Sequence, residues 1–322
     1  MRHRVSQNCT EVTPQCLVEN TIYGYAPNLG LNAFFVAIFS ICALAQIYLG
    51  TKYKTFFFAY VITLGAIGEA IGYGGRIIMH SNPYSSLGFK IQISCLIFSP
   101  AFIAAGIYLT LKHIVLAFGQ ERSKIQARYY TWIFITCDWI SLMLQAVGGG
   151  FAGGAGNNVK LRNTGTNLMI SGIVWQVATL ITFSALVVDY ALRTRRAWSD
   201  VTPEAKGLLS QSKFRSFLAA AAVAFTTVFL RCVYRIAEMV GGWANPIMRD
   251  EIGFDIMEGV MIVIAVLALT IFHPGFYFPQ LAGRKWEKPS VELDSLDESD
   301  VALRERNIRE EPKSVQVSTI GE

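Results

Sequence analysis

The sequence predicts an all-α membrane protein with seven transmembrane helices, and three observations lead to this class. Hydrophobic residues make up 52% of the chain and charged residues 16%, with a mean hydropathy of +0.39. This balance is more apolar and less charged than that of ordinary soluble domains. Several apolar stretches reach the roughly 20 residues that an α-helix needs to cross a bilayer. They are continuous rather than short and alternating, which disfavours a transmembrane β-barrel.

The first 27 residues are polar and are predicted to form an extracellular segment. They contain no apolar run typical of a cleavable signal peptide, so the first span is expected to target the chain. Asn8 begins the N-glycosylation acceptor Asn8-Cys9-Thr10. Cys9 and Cys16 are close in sequence, and a disulfide between them is expected only outside the cytosol. The alternative is a sequon that arose by chance and two free thiols.

Seven predicted spans follow and form a transmembrane domain of residues 28–280. They cover residues 29–50, 55–79, 91–118, 129–151, 168–192, 214–240 and 254–272. Pro100 predicts a kink in the third span, because proline removes a backbone donor from the helix. The glycines at 148–150, 153 and 154 either allow close helix approach or end the fourth helix in a flexible loop. Residues 281–322 are rich in Ser, Asp and Glu and are predicted to be a disordered cytosolic tail.

Basic residues predict the orientation of these spans, with the N-terminus outside and the C-terminus in the cytosol. In this orientation fourteen lysines and arginines lie in cytosolic segments and six lie outside. The acceptor at Asn8 and the cysteine pair favour the same orientation. The net charge of +5 averages a basic membrane part and an acidic tail, so it does not indicate nucleic-acid binding.

Ionisable side chains inside the spans are the strongest functional signal in the sequence. Such groups are costly at membrane depth, and they normally face the protein interior, pair with one another or line a polar cavity. Arg231, Arg235 and Glu238 are four and three residues apart, so a helix places them on one face. In the predicted orientation nearly all intramembrane charges lie at mid-depth or in the outer half of the bilayer.

This distribution predicts a polar cavity that opens towards the exterior. The predicted pocket residues are Glu69, Tyr73, Arg76, Asp138, Gln145, Gln176, Arg231, Arg235, Glu238, Asp255 and Glu258. Five carboxyls then face three guanidiniums, and this acidic excess favours a cationic ligand or a proton. The alternative is an ion-pair network that only fixes the register of the helices.

The chain resembles the fungal lipid-translocating exporter family, also called RTA-like, over about residues 20–280. The motifs that carry the resemblance occur in order along the spans: Tyr23-Gly24-Tyr25-Ala26-Pro27, Glu69-x-x-Gly72-Tyr73-x-x-Arg76, Pro100 with Ala104-Ala105 and Tyr108, Asp138-Trp139-Ile140-Ser141 with Gln145 and Gly148-Gly149-Gly150, Gly172 with Gln176, Arg231 with Tyr234-Arg235, Glu238 and Gly241, Glu251 with Asp255, and His273-Pro274-Gly275. Each motif is weak alone, and the ordered set is specific. Asn28, Ser99 and Phe254 are mild departures from the usual pattern.

The resemblance implies a seven-span membrane protein with its N-terminus outside. Members of this family are linked to outward translocation of sphingoid long-chain bases, to resistance against lipid-like toxins and, in one branch, to porphyrin handling. The resemblance therefore implies translocation of a lipid or amphiphile, with the plasma membrane as the expected location. A sphingoid base is an amphipathic cation, which agrees with the acidic excess.

Two further classes of function are alternatives to a translocator. A seven-helix receptor or lipid sensor also fits the spans and the outward pocket, and the fold does not separate it from a translocator. A retinal protein is disfavoured, because the seventh span has no lysine. An enzyme is not expected, because His3, His80, His113 and His273 lack metal-ligand spacing and form no catalytic constellation.

The sequence gives no sign of a cofactor, and it leaves the oligomeric state open. It contains no phosphate-binding loop for ATP. Transport would therefore be facilitative or proton-coupled, with Glu69 or Asp138 as the protonatable group.

Overall fold

The computed structural model describes residues 9–277 apart from positions 120, 122, 157 and 201. Within this part of the chain, seven helices are long and apolar enough to cross a membrane. They are α1 (Leu29–Tyr53), α2 (Phe56–Ser81), α3 (Ser86–Phe118), α4 (Ala127–Gly154), α5 (Val159–Arg196), α7 (Ser212–Val240) and α8 (Glu251–Tyr277). A short helix, α6 (Pro203–Ser210), precedes α7. The predicted fold class and the seven spans are confirmed.

Local sequence signals explain where several helices begin and end. The side chains of Asn28, Ser85 and Asn158 cap the first turns of α1, α3 and α5 by accepting a hydrogen bond from a backbone N–H. Such caps satisfy donors that have no partner inside the helix. Lys54 ends α1 with a φ of 59°, and α2 begins two residues later. The connection is therefore very short, and α1 and α2 pack as antiparallel neighbours.

The fifth helix is longer than the sequence predicted, because it begins at Val159 rather than at residue 168. Its 38 residues extend about 57 Å, well beyond a hydrocarbon core of about 30 Å. Hydropathy detects only the part of a helix that lies in lipid. The polar first turns remain helical because Asn158 caps them and because Gly165 lies against the backbone of α4.

The glycine-rich end of α4 stays helical to Gly154, three residues beyond the predicted end. A Cβ atom at Gly148 would lie 2.6 Å from the carbonyl oxygen of Gly165, whereas Gly150 faces open space. Close approach of α4 and α5 therefore occurs at Gly148. The α2–α3 interface uses the same device, since a Cβ atom at Gly75 would lie 2.8 Å from the carbonyl oxygen of Gly88.

The N-terminal segment lies against the end of the bundle where α2 meets α3. Cys9 and Cys16 are joined by a disulfide in the structure. The Tyr84 hydroxyl donates to the carbonyl of Leu17 at 2.7 Å, which ties the segment to the α2–α3 turn. The predicted glycosylation acceptor Asn8 lies outside the described residues.

The last span is not a regular α-helix. It begins as α-helix at Glu251–Phe254, continues as π-helix over Asp255–Val260 and returns to α-helix at Met261–Ile271. A short turn, Pro274–Tyr277, follows. The predicted tail of residues 281–322 lies outside the described part of the chain.

Candidate functional site

The structure buries every side chain of the predicted pocket. Relative exposures of these eleven residues range from 0% to 5%. They are Glu69, Tyr73, Arg76, Asp138, Gln145, Gln176, Arg231, Arg235, Glu238, Asp255 and Glu258. In this structure the groups pack against one another and against the core, and the predicted outward opening stays a prediction. They fall into separate clusters.

Arg76 on α2 is the centre of the first cluster. Its Nε donates to Asn32 Oδ1 at 2.8 Å, and its Nη2 lies 3.5 Å from Asp255 Oδ1 and 3.6 Å from Glu251 Oε1. The guanidinium carbon also lies 4.2 Å from the ring centroid of Phe254, a cation–π contact. This cluster joins α1, α2 and α8 around one buried cation.

The second cluster joins α7 to α8 through two arginines and two glutamates. Arg231 Nε lies 2.6 Å from Glu258 Oε2, an ion pair without the angle of a hydrogen bond. Arg235 Nη1 donates to Glu238 Oε2 at 2.5 Å and to Glu258 Oε1 at 3.1 Å. Glu258 therefore bridges both arginines. Charges buried in this way are stable only while they are paired.

Arg231 also satisfies a backbone group that a proline leaves without a partner. Proline has no N–H, so Pro100 cannot donate to the carbonyl of Leu96 one turn earlier in α3. Arg231 Nη2 donates to that carbonyl instead. Pro100 thus provides a backbone acceptor for an arginine from another helix.

The π-helical turn of α8 contains two carboxyls that pair with different helices. Asp255 pairs with Arg76 on α2, whereas Glu258 pairs with Arg231 and Arg235 on α7. Gly259, in the same turn, lies against the ring of Phe35, where a Cβ atom would come within 2.4 Å. Such π-helical turns occur frequently at functional sites.

Glu69 lies in α2 with 0% exposure, and neither of its carboxyl oxygens has a hydrogen-bond partner among the described residues. It interacts electrostatically with Arg231, Glu258 and Arg235 but forms no ion pair with any described residue. The hydroxyl of Tyr73, one turn away on α2, is likewise buried without a partner.

Asp138 on α4 lies in an aromatic environment. Its Oδ2 accepts a hydrogen bond from the Tyr108 hydroxyl at 3.0 Å, and its Oδ1 has no partner in the described structure. The ring of Tyr108 packs against Phe134 and Phe183, with centroid distances of 5.4 Å and 4.6 Å. The described residues form no ion pair with this carboxyl.

Gln145 and Gln176 contact each other at the α4–α5 interface. Gln145 Nε2 donates to Ser141 Oγ at 2.8 Å and to Gln176 Oε1 at 3.3 Å. Ser141 in turn donates to the carbonyl of Gly172 at 2.7 Å. These bonds join α4 to α5, and they do not link the two glutamines to the arginine clusters.

The N-terminal segment covers the first cluster. The ring of Tyr25 lies 5.8 Å from the guanidinium carbon of Arg76, and the backbone N–H of Asn28 donates to Glu251 Oε1 at 2.7 Å. Burial raises the pKa of Tyr25 to about 12, so its phenol stays neutral at physiological pH. Tyr23 accepts a hydrogen bond from Gln92 Nε2 at 2.9 Å.

Sequence reasoning missed two partners in this site. Asn32 was overlooked because a single amide near the start of an apolar span carries little weight by itself. Glu251 appeared only as a motif residue of the resemblance, yet its carboxylate contacts both Arg76 and the N-terminal segment.

Among the residues that the structure describes, no group of three or more His, Cys, Asp or Glu side chains is placed to hold a metal ion.

Seven apolar helices around buried, paired charges define a polytopic membrane protein with a polar interior. The chain belongs to the family described as "RTA1 like protein", whose model matches residues 62–281. The resemblance identified from the motifs is thereby confirmed.

Curated relatives come from baker's yeast, Saccharomyces cerevisiae. The protein named "Sphingoid long-chain base transporter RSB1" is 32% identical over 80% of this chain and 75% of its own length. "Protoporphyrin uptake protein 1" is 28% identical over 64% of this chain and 65% of its own length. "Protein RTM1" is 26% identical over 77% and 78%, respectively. No solved structure matches this chain.

Proposed function

We propose that this protein translocates a cationic amphiphile of the sphingoid-base type across the membrane, towards the exterior. A lipid-related transport role is supported by the relative named a sphingoid long-chain base transporter, which aligns with four fifths of the chain. The relatives named for transport or uptake also favour a role other than catalysis.

The observation that carries this proposal is the charge balance of the buried site. Three arginines, Arg76, Arg231 and Arg235, pair with three deeply buried carboxyls, those of Asp255, Glu258 and Glu238. Two more buried carboxyls, of Glu69 and Asp138, have no ion-pair partner among the described residues. Uncompensated carboxyls at membrane depth favour a cation, and the head group of a sphingoid base is an ammonium.

We further propose that the N-terminus faces the exterior of the plasma membrane. Support comes from the distribution of basic residues along the sequence and from the disulfide between Cys9 and Cys16, which oxidising compartments favour. In this orientation the arginine clusters lie in the outer half of the bundle. Removal of amphiphiles from the cell would also provide resistance to lipid-like toxins.

The decisive experiment measures the outward movement of a labelled sphingoid base in cells that lack or overexpress the protein. We expect overexpression to accelerate efflux, and Arg235→Ala to reduce this gain by about tenfold or more, because Glu238 and Glu258 lose their shared partner. Arg162→Ala provides a matched control, since Arg162 lies in the polar first turns of α5.

Surface abundance must be equal for all variants in this experiment. If the Arg235→Ala variant supports efflux at the wild-type rate, the arginine clusters are not part of the transport site. An absence of any effect of the wild-type protein, when it is present at the surface, would instead favour the receptor or sensor class.

A further inference from the structure

Among the described residues, Glu69 is a carboxyl beside the arginine clusters that has no hydrogen-bond or ion-pair partner. Both of its oxygens lack hydrogen bonds within the described structure, although the side chain is fully buried. The two arginines that interact with it, Arg231 and Arg235, already pair with Glu258 and Glu238. An ionised carboxylate in such surroundings lacks both water and hydrogen bonds, so the charged form is strongly disfavoured.

The groups around Glu69 come from four helices. On its own helix, Tyr73 lies one turn away with an unbonded hydroxyl. The titratable or charged groups that interact with Glu69 from other helices are Cys95 of α3, Arg231 and Arg235 of α7, and Glu258 of α8. Arg231 has the strongest attraction among them. Two cations, Arg231 and Arg235, can therefore stabilise a negative charge on Glu69, and both already pair with other carboxyls.

The arginine clusters also connect Glu69 with the end of the bundle that the N-terminal segment covers. Tyr73 interacts electrostatically with both Glu69 and Arg76. Arg76 contacts Glu251, whose side chain is 28% exposed. Polar groups therefore extend from the buried carboxyl to an exposed one on the N-terminal side of α8. This is the type of arrangement that proton pathways use within membranes.

We propose that Glu69 is a proton-binding site, and that exchange of this proton with the exterior drives transport of the cationic substrate. The carboxyl is buried and forms no hydrogen bond with the described residues. This site accommodates a proton, which is the smallest cation. This inference rests on the proposed function only for the identity of the cargo. The proton site itself follows from the burial and the missing partners of Glu69.

Release of the proton converts Glu69 from a neutral acid into an anion. Arg231 then gains a second carboxylate to pair with, in competition with Glu258 Oε2 at 2.6 Å and the carbonyl of Leu96. A shift of Arg231 towards α2 loosens the contact of α7 with α8 and with α3. Protonation thus changes the arrangement of the helices around the site.

The same carboxylate accepts either a proton or the ammonium of the substrate, but not both together. Arrival of a proton neutralises Glu69 and releases the amine, and arrival of the amine requires an empty carboxylate. One proton entering for each amine leaving preserves the charge of the site. We therefore expect exchange in opposite directions.

The test uses the full-length protein in phospholipid vesicles with a fluorescently labelled sphingosine that retains its free amine. With wild-type protein, we expect an imposed pH gradient to accelerate amine movement by about tenfold, and a protonophore to abolish this gain, because substrate and proton exchange at Glu69. The Glu69→Gln variant should transport the amine slowly, at a rate that does not depend on the pH gradient. Glu69→Asp should restore the dependence, and Glu121→Gln, an exposed control, should behave as wild type.

Outcomes of this test separate the proton site from the cargo. Wild-type transport that is indifferent to the gradient overturns the coupling and leaves the proposed function standing. Loss of gradient dependence in Asp138→Asn, with Glu69→Gln unaffected, overturns the assignment to Glu69.

A second measurement needs no substrate and keeps the proton site testable if sphingosine is not the cargo. Infrared difference spectra between alkaline and acidic buffer should show the C=O stretch of a protonated carboxylic acid in the wild-type protein. This band should be lost in Glu69→Gln and shifted in Glu69→Asp. An unchanged band in Glu69→Gln contradicts the inference, and failure of the vesicle assay alone contradicts only the cargo.

Discussion

At the scale of single residues, Arg231 connects α7 with two other helices. It pairs with Glu258 of α8 and donates to the carbonyl of Leu96 in α3, which Pro100 leaves unpaired. One guanidinium therefore stabilises a carboxylate and a backbone carbonyl from two other helices. Removal of the arginine leaves the carbonyl of Leu96 without this donor and leaves Glu258 paired with Arg235 alone.

We predict that Arg231→Leu lowers the free energy of unfolding in mixed detergent by about 3–5 kcal/mol, because the buried carboxylate of Glu258 loses one of its two cationic partners and the carbonyl of Leu96 loses its donor. The double variant Arg231→Leu/Glu258→Gln should recover about 1–3 kcal/mol of that loss, because the buried carboxylate that lost a cation is then replaced by a neutral amide. Reversible unfolding followed by tryptophan fluorescence measures both values. Additive losses in the double variant would show that the two side chains are not coupled.

At the scale of helices, glycines decide how closely the spans pack. Gly75 and Gly88 bring α2 onto α3, and Gly148 and Gly165 bring α4 onto α5, in each case against backbone atoms that cannot move aside easily. Lipid provides no hydrophobic force between helices, so such close contacts are a main source of association. The position of Glu69 and Asp138 within the bundle depends on these two interfaces.

We predict that Gly148→Ala destabilises the protein by about 1–3 kcal/mol, since a Cβ atom there overlaps the backbone of α5. Gly150→Ala is the matched control on the same helix, because its Cβ meets open space. Alanine is the better helix former, so this control should be neutral or stabilising by up to about 1 kcal/mol. Thermal unfolding of the two variants in one detergent gives the comparison. Equal melting temperatures would contradict the role of Gly148.

At the scale of the whole molecule, the two ends of the bundle differ in what covers the charged site. The N-terminal segment lies over Arg76 through Tyr25 and contacts Glu251 through the backbone of Asn28. At the opposite end, His273 accepts a hydrogen bond from the backbone N–H of Gly275 at 3.1 Å, within a close contact of α8 with Tyr53 of α1. In the proposed orientation, an opening of the site to the exterior therefore lies beneath the N-terminal segment.

The orientation of the molecule is tested by labelling with a membrane-impermeant maleimide. We expect a cysteine at position 160 (Lys160→Cys) to be labelled on intact cells, because this exposed residue lies beside the α4–α5 turn. Lys52→Cys, at the exposed end of α1, should be labelled only after permeabilisation. The reverse pattern would place the N-terminus in the cytosol and reverse the proposed direction of opening.

The sequence by itself determined the class of protein, the seven spans and the charged residues that are buried between the helices. These features follow from local properties, because hydropathy over about 20 residues identifies a span and helical spacing places Arg231, Arg235 and Glu238 on one face. Span ends were less well predicted, since hydropathy does not detect the polar turns at the start of α5. The ordered set of motifs also identifies the family.

Only the tertiary structure decided which charges pair and which remain alone. Asp255 and Glu258 both lie in the π-helical turn and pair with different helices, and the sequence carries no signal for that turn. Arg231 uses a carbonyl of α3, which carries no side-chain signal at all. Within the described structure, Glu69 and Asp138 form no ion pair. Pairing depends on distances between helices that are remote in sequence, and these distances exist only once the bundle has packed.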